Sequence, residues 1–525
     1  MRLRTCDSSF VACMLSACGY PSEIMKLLIP SSLLNSCAII ALWLGASLAA
    51  DDAQATTQDS VRYDVAFEAA SQTARVRLCL GASRDEVRFA ADSGWAMRFV
   101  DKLNRSSGEK VESDDSGWRA KNWHAGECLS YVADLGAIGR SNKIDVGWLM
   151  GDDIVAAPQL WLLRVDAGAA ADARVAITLP DGWAISAPWH PDTGQGKAPV
   201  SGQVGTEKHE TVSRFTIPQT PADWSAAVAF GRFNEERVSL PGGVLRLAIL
   251  HGGDVAQRAT LHQWFDRISQ AILSAYGKLP LPDVQVLMIP IEGRGRHGVL
   301  FGQSVRGEGN SLQLLVDPTR PVSEFDDDWM AVHELSHLMH PYLGDRGSWL
   351  SEGLATYYQN VLRARAGLLT PAQAWAELAD GFKRGAASRS DEPLADAAAH
   401  MHRTHAFQRI YWAGAAFWLT VDNDLRRQSA GNPGLDAVLE GFGTCCLPAY
   451  REWRPEEFVE RLDSLSGTNV FSKRYREFAA QRVFPDWTSV FAELGVGVDG
   501  AAQTDTAAGG SARRDAIMRP RIARK

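Results

Sequence analysis

Long apolar runs, paired cysteine motifs and an excess of positive charge are all scarce in this chain of 525 residues. The apolar run from Cys37 to Leu44 falls short of the ~20 residues that a membrane-spanning helix needs, and Pro30, Ser31, Ser32, Asn35 and Ser36 precede it. None of the 8 cysteines has CxxC spacing, which argues against a zinc held by thiolates. With 54 Lys and Arg against 62 Asp and Glu, the net charge of -8 gives no broad attraction for nucleic acid or anionic lipid, so no nucleic-acid partner is expected. What remains, 46% hydrophobic and 22% charged, is the balance of an ordinary globular protein. A chain of this length exceeds what one hydrophobic core usually supports, and two or more domains are expected.

The amino terminus reads as an export signal. Met25-Lys26-Leu27-Leu28 is a short basic start, Cys37 to Leu44 an apolar centre, and Ser47-Leu48-Ala49 offers small residues where a signal peptidase reads. Cleavage after about Ala49 sends the chain to a periplasmic or extracellular space; the alternative is an uncleaved anchor, and membrane contact is expected only through this segment. Residues 1–24 do not fit such a signal, which leaves Met1 and Met25 as rival starts. Cys6, Cys13, Cys18 and Cys37 would leave with the signal. Cys79 and Cys128 lie in strand-like text and either pair or stay as separate buried thiols; Cys445 and Cys446 are left open.

Four segments follow from the patterning: residues 1–50 as targeting signal, 51–251 as a β-rich domain, 252–495 as a mostly helical domain and 496–525 as a tail. Alternating runs such as Tyr63 to Phe67 and Arg174 to Leu179, cut by turn signals such as Pro180-Asp181-Gly182, predict an antiparallel β-sandwich. From Leu261 to Tyr276 the apolar residues recur at helical spacing, and Val284 to Ile291 and Ser311 to Val316 read as strands. Asp326-Asp327-Asp328 suits a helix amino terminus. Helices are then expected to about Leu494, with Pro371, Pro393, Pro433 and Pro455 between them, and the Ala, Gly and Thr-rich tail is expected to be solvated.

Chemistry concentrates in Val332-His333-Glu334-Leu335-Ser336-His337-Leu338. Residues four apart share a helical face, so His333 and His337 can present their imidazoles to one ion while Glu334 is turned towards an open coordination position. A catalytic zinc needs a third protein ligand and keeps its fourth position for water. Trp349-Leu350-Ser351-Glu352-Gly353-Leu354-Ala355-Thr356-Tyr357-Tyr358 supplies Glu352: Pro341 and Gly344 break the first helix, Ser348 is placed to cap a second, and a short antiparallel turn returns Glu352 to the imidazoles. His340 is read as a helix-terminal histidine where a cation is tolerated. Thr356 is a candidate hydrogen-bond partner for a ligand.

This HExxH followed by W-L-S-E-G-L-A-x-Y-Y resembles the gluzincin metallopeptidases, most nearly the glycyl aminopeptidase family and more distantly the aminopeptidase N family. The resemblance extends from about Tyr63 to Gly495, including Leu179 to Trp183 and Phe484-Pro485. It implies a multidomain α+β protein, an amino-terminal β-sandwich followed by a thermolysin-like, mostly helical zinc peptidase domain. One zinc ion would be held by His333, His337 and Glu352, with Glu334 as general base. It also implies that Tyr411, in Ile410-Tyr411-Trp412-Ala413-Gly414, stabilises the oxyanion, although Ala413 replaces the lysine of the family's Y-x-K-G. The gap between His337 and Glu352 is shorter than in aminopeptidase N relatives, and no carboxy-terminal peptide-binding module is visible.

The expected activity is hydrolysis of peptide bonds in a peptide or protein substrate. The rival is an exported binding or envelope protein that retains a structural metal, against which Glu334 stands, since a structural site has no use for a base. Aminopeptidases of this clan carry an acid for the substrate amine on a glycine-led edge strand. The matching stretch, His297 to Val305, has the glycine and no acid, so an endopeptidase or broad peptidase is expected unless Glu292 or Glu308 reaches the site.

Overall fold

The structure, a computed structural model, describes residues 60–89, 95–115, 117–165, 172–192, 210–293, 297–428, 433–503 and 509–521. The targeting segment and both candidate starts lie outside them. The first strands show why the amino-terminal half folds as sheets: in Val61–Glu68 the residues Val61, Tyr63, Val65 and Phe67 point inward and their neighbours outward. A seven-stranded sheet forms there, and a four-stranded sheet closes over it, with Phe67, Trp161, Trp189 and Phe230 in the shared core. The expectation of a purely antiparallel arrangement is corrected, because Val61–Glu68 runs parallel to Ala173–Leu179. Cys79 and Cys128 stand opposite each other on paired strands and form a disulfide, S–S 2.08 Å. Cys445 and Cys446 are also joined.

The second unit is built on a five-stranded sheet of β1 (Glu235–Leu240), β2 (Gly243–Ile249), β3 (Asp283–Pro290), β4 (Val299–Val305) and β5 (Ser311–Val316), in the spatial order β1-β2-β3-β5-β4. This moves the expected boundary at residue 252 towards the amino terminus. β1 pairs with β2 and β2 with β3, and Val238, Leu240, Leu245 and Leu247 join the helical core. The opposite face of the sheet packs Leu287, Ile289 and Phe301 against Trp148 and Val155 of the four-stranded sheet. β4 is an edge strand antiparallel to β5, as the His297 to Val305 stretch predicts.

Helix α1 (Val255–Ser269) opens with a capping box between Asp254 and Gln257 and buries Leu261, Trp264, Phe265 and Ile268. Three further helices frame the site: α2 (Met330–Ser336), α3 (Ser348–Arg365) and α4 (Phe407–Gln428). Of the three aspartates, Asp328 serves α2, accepting the Ala331 N–H at 3.1 Å. Ser348 does not cap α3: it is the helix's first residue, and its hydroxyl is buried without a partner.

The tail is also corrected. Gly510–Ile517 forms a helix whose Ile517 and the following Met518 are buried in the helical core, and Arg365 Nε donates to the Ile517 carbonyl at 2.8 Å. Two apolar residues in polar text suffice, because Arg365 brings an internal anchor to them. Among the described residues no helix is long and apolar enough to cross a membrane.

Candidate metal centre

The three expected ligands converge. His333 lies in α2, His337 opens the short 3-10 turn to Met339 that continues it, and Glu352 lies in the second turn of α3. Their ligand atoms are all within 4.8 Å of one another. His333 Nε2 is 3.2 Å and His337 Nε2 3.6 Å from the same Glu352 oxygen. In a tetrahedron with zinc-ligand bonds near 2.0–2.1 Å, ligand atoms stand about 3.3 Å apart. The donor set and its spacing therefore fit a tetrahedral zinc with one position left over.

Hydrogen bonds behind the ligands turn the right nitrogens forward. His340 Nδ1 faces the Pro341 carbonyl at 2.7 Å, and a carbonyl only accepts, so this nitrogen carries the proton. Burial, with Arg306 and His337 adding to it, holds the His340 pKa well below the ordinary histidine value. Neutral His340 therefore offers Nε2 as an acceptor, 2.9 Å from His337 Nδ1. His337 donates there and keeps the lone pair of Nε2 for the metal. His333 Nδ1 likewise lies 2.8 Å from Gln359 Oε1, which leaves Nε2 forward. The electrostatics agree with a cation site. Burial opposes charge on both partners, yet the histidines hold Glu352 far below the usual carboxylate range, and Glu352 and Glu334 raise His333. A field that favours a proton between these groups favours a metal ion there.

Glu334 is buried, and that burial raises its carboxyl above the ordinary value despite the nearby histidines. It sits against the edge strand β4, where the Ser304 N–H bonds to its carboxylate. Gly302 makes the room: a Cβ there would lie 2.8 Å from Glu334 Cγ. Tyr411 reaches the site from α4, its ring stacked on His333 with centroids 6.0 Å apart. Two glycines permit this. A Cβ on Gly414 would meet the Trp349 carbonyl at 1.9 Å, and one on Gly353 would meet Gly414 Cα at 2.3 Å, so α3 and α4 cross backbone to backbone.

His333, Glu334, His337, Glu352 and Tyr411 are thus all brought together. His340 does end the helix, but it is a buried neutral relay and not a site for a cation. Thr356 is buried in α3 and its hydroxyl makes no hydrogen bond among the described residues; Gln359 takes that part. The sequence held one signal for Gln359, its place two helical turns beyond Glu352. Neither acid proposed for a substrate amine is available. Glu308 is bound by Arg164 Nη2 and Trp189 Nε1, both at 2.7 Å, and exposed Glu292 accepts the Gly253 N–H at 2.7 Å.

A helix-borne pair of histidines with a carboxylate between them, completed by a glutamate from the next helix, is a donor set that can hold one zinc ion and leave a position for water. Residues 332–416 match the M61 glycyl aminopeptidase family. The fold is shared with an aminopeptidase N family protein from Idiomarina loihiensis, at 14% identity and a TM-score of 0.60, covering 82% of this chain and 78% of that one. An M1 zinc metallopeptidase from Deinococcus radiodurans is similar at 15% identity and a TM-score of 0.50, over 82% of this chain and 94% of that one. A mutant form of a Deinococcus radiodurans M1 zinc metallopeptidase bound to a Tyr-Ser-Ala substrate gives 14% and 0.50, over 82% and 95%. No curated protein matches the chain.

Proposed function

We propose that this chain is an exported, thermolysin-like zinc peptidase in which His333, His337 and Glu352 hold one ion, Glu334 is the general base and Tyr411 stabilises the oxyanion. The observation that carries the reading is the convergence of two forward-turned Nε2 atoms and one Glu352 oxygen, with Glu334 held beside them against an open edge strand. Zinc, when bound, supplies Lewis acidity to a scissile carbonyl and acidity to water. Glu334 takes the proton from the attacking water and delivers it to the leaving amine; a carboxyl raised by burial is nearer in pKa to that task than an exposed one. The Tyr411 hydroxyl donates to the oxygen on which charge develops. β4 offers its outer edge to an extended peptide, as edge strands do.

The same strand supports an endopeptidase or a broad peptidase over a strict aminopeptidase, because it brings no carboxylate to the site and both nearby acids are engaged elsewhere. Export rests on the Met25 to Ala49 pattern and on paired cysteines. The reading is tested by metal analysis together with a peptide-hydrolysis screen of the protein and its Glu334→Gln variant. One zinc per chain is expected in both and hydrolysis only in the first; loss of the metal from the variant removes Glu334 from the chemistry.

A further inference from the structure

Several buried arginines in this protein keep carboxylates as company. Arg105 pairs with Glu127, Arg246 with Glu235 and Asp283, Arg365 with Asp436, and Arg426 with Asp422. Arg306, the residue after β4, has no ion-pair partner among the described residues. Its Nη2 donates to the His337 carbonyl at 2.7 Å and the His340 carbonyl at 3.2 Å, which ties the guanidinium to the end of the metal-binding helix. Among the described residues its Nε and Nη1 make no hydrogen bond, and the residue is only half-buried. Arg409 makes the contrast. It too binds only carbonyls, those of Glu392, Gln481 and Arg482, but its Nη1 is sealed inside, as suits a clamp between loops.

Position adds to this. Arg306 lies two residues beyond Ser304, whose N–H touches the Glu334 carboxylate, just past the end of the strand that closes one side of the sheet. Burial pushes its pKa down to about 10, against the opposing influence of Tyr342, Glu352 and Glu334, and neither glutamate reaches pairing distance. A guanidinium partly withdrawn from water without gaining a counter-ion is a costly arrangement for folding alone. It becomes favourable when an anion arrives with the ligand, because a charge-assisted hydrogen bond in a partly desolvated cleft is about twice as strong as a neutral one.

We propose that Arg306 is a specificity-determining residue that pairs with a carboxylate of the bound peptide, either an acidic side chain near the cut or the free carboxy terminus. The proposal rests on the peptidase reading of the same site. It makes the centre selective for acid where an aminopeptidase of related fold would need to receive an amine, and like charge at Arg306 opposes that amine.

The test uses the zinc-loaded protein and one parent peptide in which each position within three residues of the cut is Glu, Gln or Lys, each made with a free and an amidated carboxy terminus. Expected is a preference in kcat/KM on the order of 10- to 100-fold for one acid over its amide, the scale of a hydrogen bond to a charged group. A side-chain acid and the chain terminus are told apart by which pair of peptides shows it. Arg306→Gln should bring that ratio to about one, and Arg306→Lys should keep part of it. Because Arg306 also holds the His337 and His340 carbonyls, the ratio within one variant is the readout, with zinc content measured alongside. A variant that loses acid and amide peptides equally, or a native protein with no preference, overturns the proposal. The same peptides are titrated calorimetrically into zinc-loaded Glu334→Gln. Acid-selective binding without any hydrolysis by the native protein sinks the peptidase reading and keeps Arg306; hydrolysis without selectivity does the reverse; neither binding nor hydrolysis of any peptide sinks both.

Discussion

His340→Phe isolates the relay behind His337, since phenylalanine keeps a ring in the space and removes both nitrogens. The His337 Nδ1–H and the Pro341 carbonyl lose the partners now 2.9 Å and 2.7 Å away. Both are in a site where water does not replace them easily, His340 being 2% exposed. Two consequences separate. Metal-free stability falls by about 1–3 kcal/mol for buried groups left unpaired. Zinc affinity falls further, because His337 no longer has its tautomer and ring orientation fixed; loss of such a partner typically costs about 10–100-fold, or roughly 1.4–2.8 kcal/mol. The assay is competition for zinc against a chelator of known affinity, with the melting temperature of the metal-free protein measured in parallel. Gln359→Leu, which removes the acceptor 2.8 Å from His333 Nδ1, should behave alike. Affinity within about twofold of the native protein, with normal melting, would refute the argument that the relay orients the ligand.

Four further outcomes follow from other parts of the site. Tyr411→Phe should lower kcat by roughly 100-fold or more with little change in KM, as for the loss of one oxyanion donor; unaltered turnover returns Tyr411 to a packing role. Gly414→Ala places a Cβ 1.9 Å from the Trp349 carbonyl and must part α3 from α4. A loss of about 3 kcal/mol, or a melting temperature lower by roughly 6–12 °C, is expected in thermal unfolding, and an unchanged transition would contradict the close crossing. Burial raises the Asp328 carboxyl to about 7, against an ordinary value near 3.9 in the unfolded chain. The folded state thus binds this proton more tightly, and its contribution to stability is complete below about pH 4 and lost as pH rises through about 7. Asp328→Asn, which keeps an oxygen for the Ala331 N–H, should match the native melting temperature near pH 4 and exceed it at pH 8; parallel curves would reject the assignment. Finally, amino-terminal acetylation of a peptide substrate should leave its cleavage intact, and if it abolishes activity the amine is being read and an exopeptidase assignment replaces ours.

What could be read in the sequence had its partners at fixed offsets. His333 and His337 share a face because a helix places residues four apart on one side, and Glu352 follows because Pro341 and Gly344 leave the chain only a short turn in which to come back. The edge strand at Val299–Val305 was implied by the resemblance, which places a glycine-led edge strand ahead of the histidine motif. The remaining features depend on contacts that only the finished fold makes. His340 is three residues from His337, a spacing that suits a helix-end cation as well as a relay; the Pro341 carbonyl decides the matter, and its direction is set when the chain leaves the helix at His340. Arg306 is one more arginine in a polar turn until β4 delivers it to the carbonyls of His337 and His340. β1 and β2 read as more of the β-rich domain, since strand patterning carries no record of which sheet a strand joins, and only the pairing of β2 with β3, with β1 beside β2, brings them to the helical core. The glycines Gly353 and Gly414 mark where the two kinds of information meet. Gly353 sits in the glutamate motif and Gly414 in the segment that the resemblance adds, and the reason for both is a single contact between two helices, without which Tyr411 would stand away from His333. A centre of this kind is thus specified twice, once by local spacing that presents the ligands and once by packing that orients them, and only the first leaves a pattern along the chain.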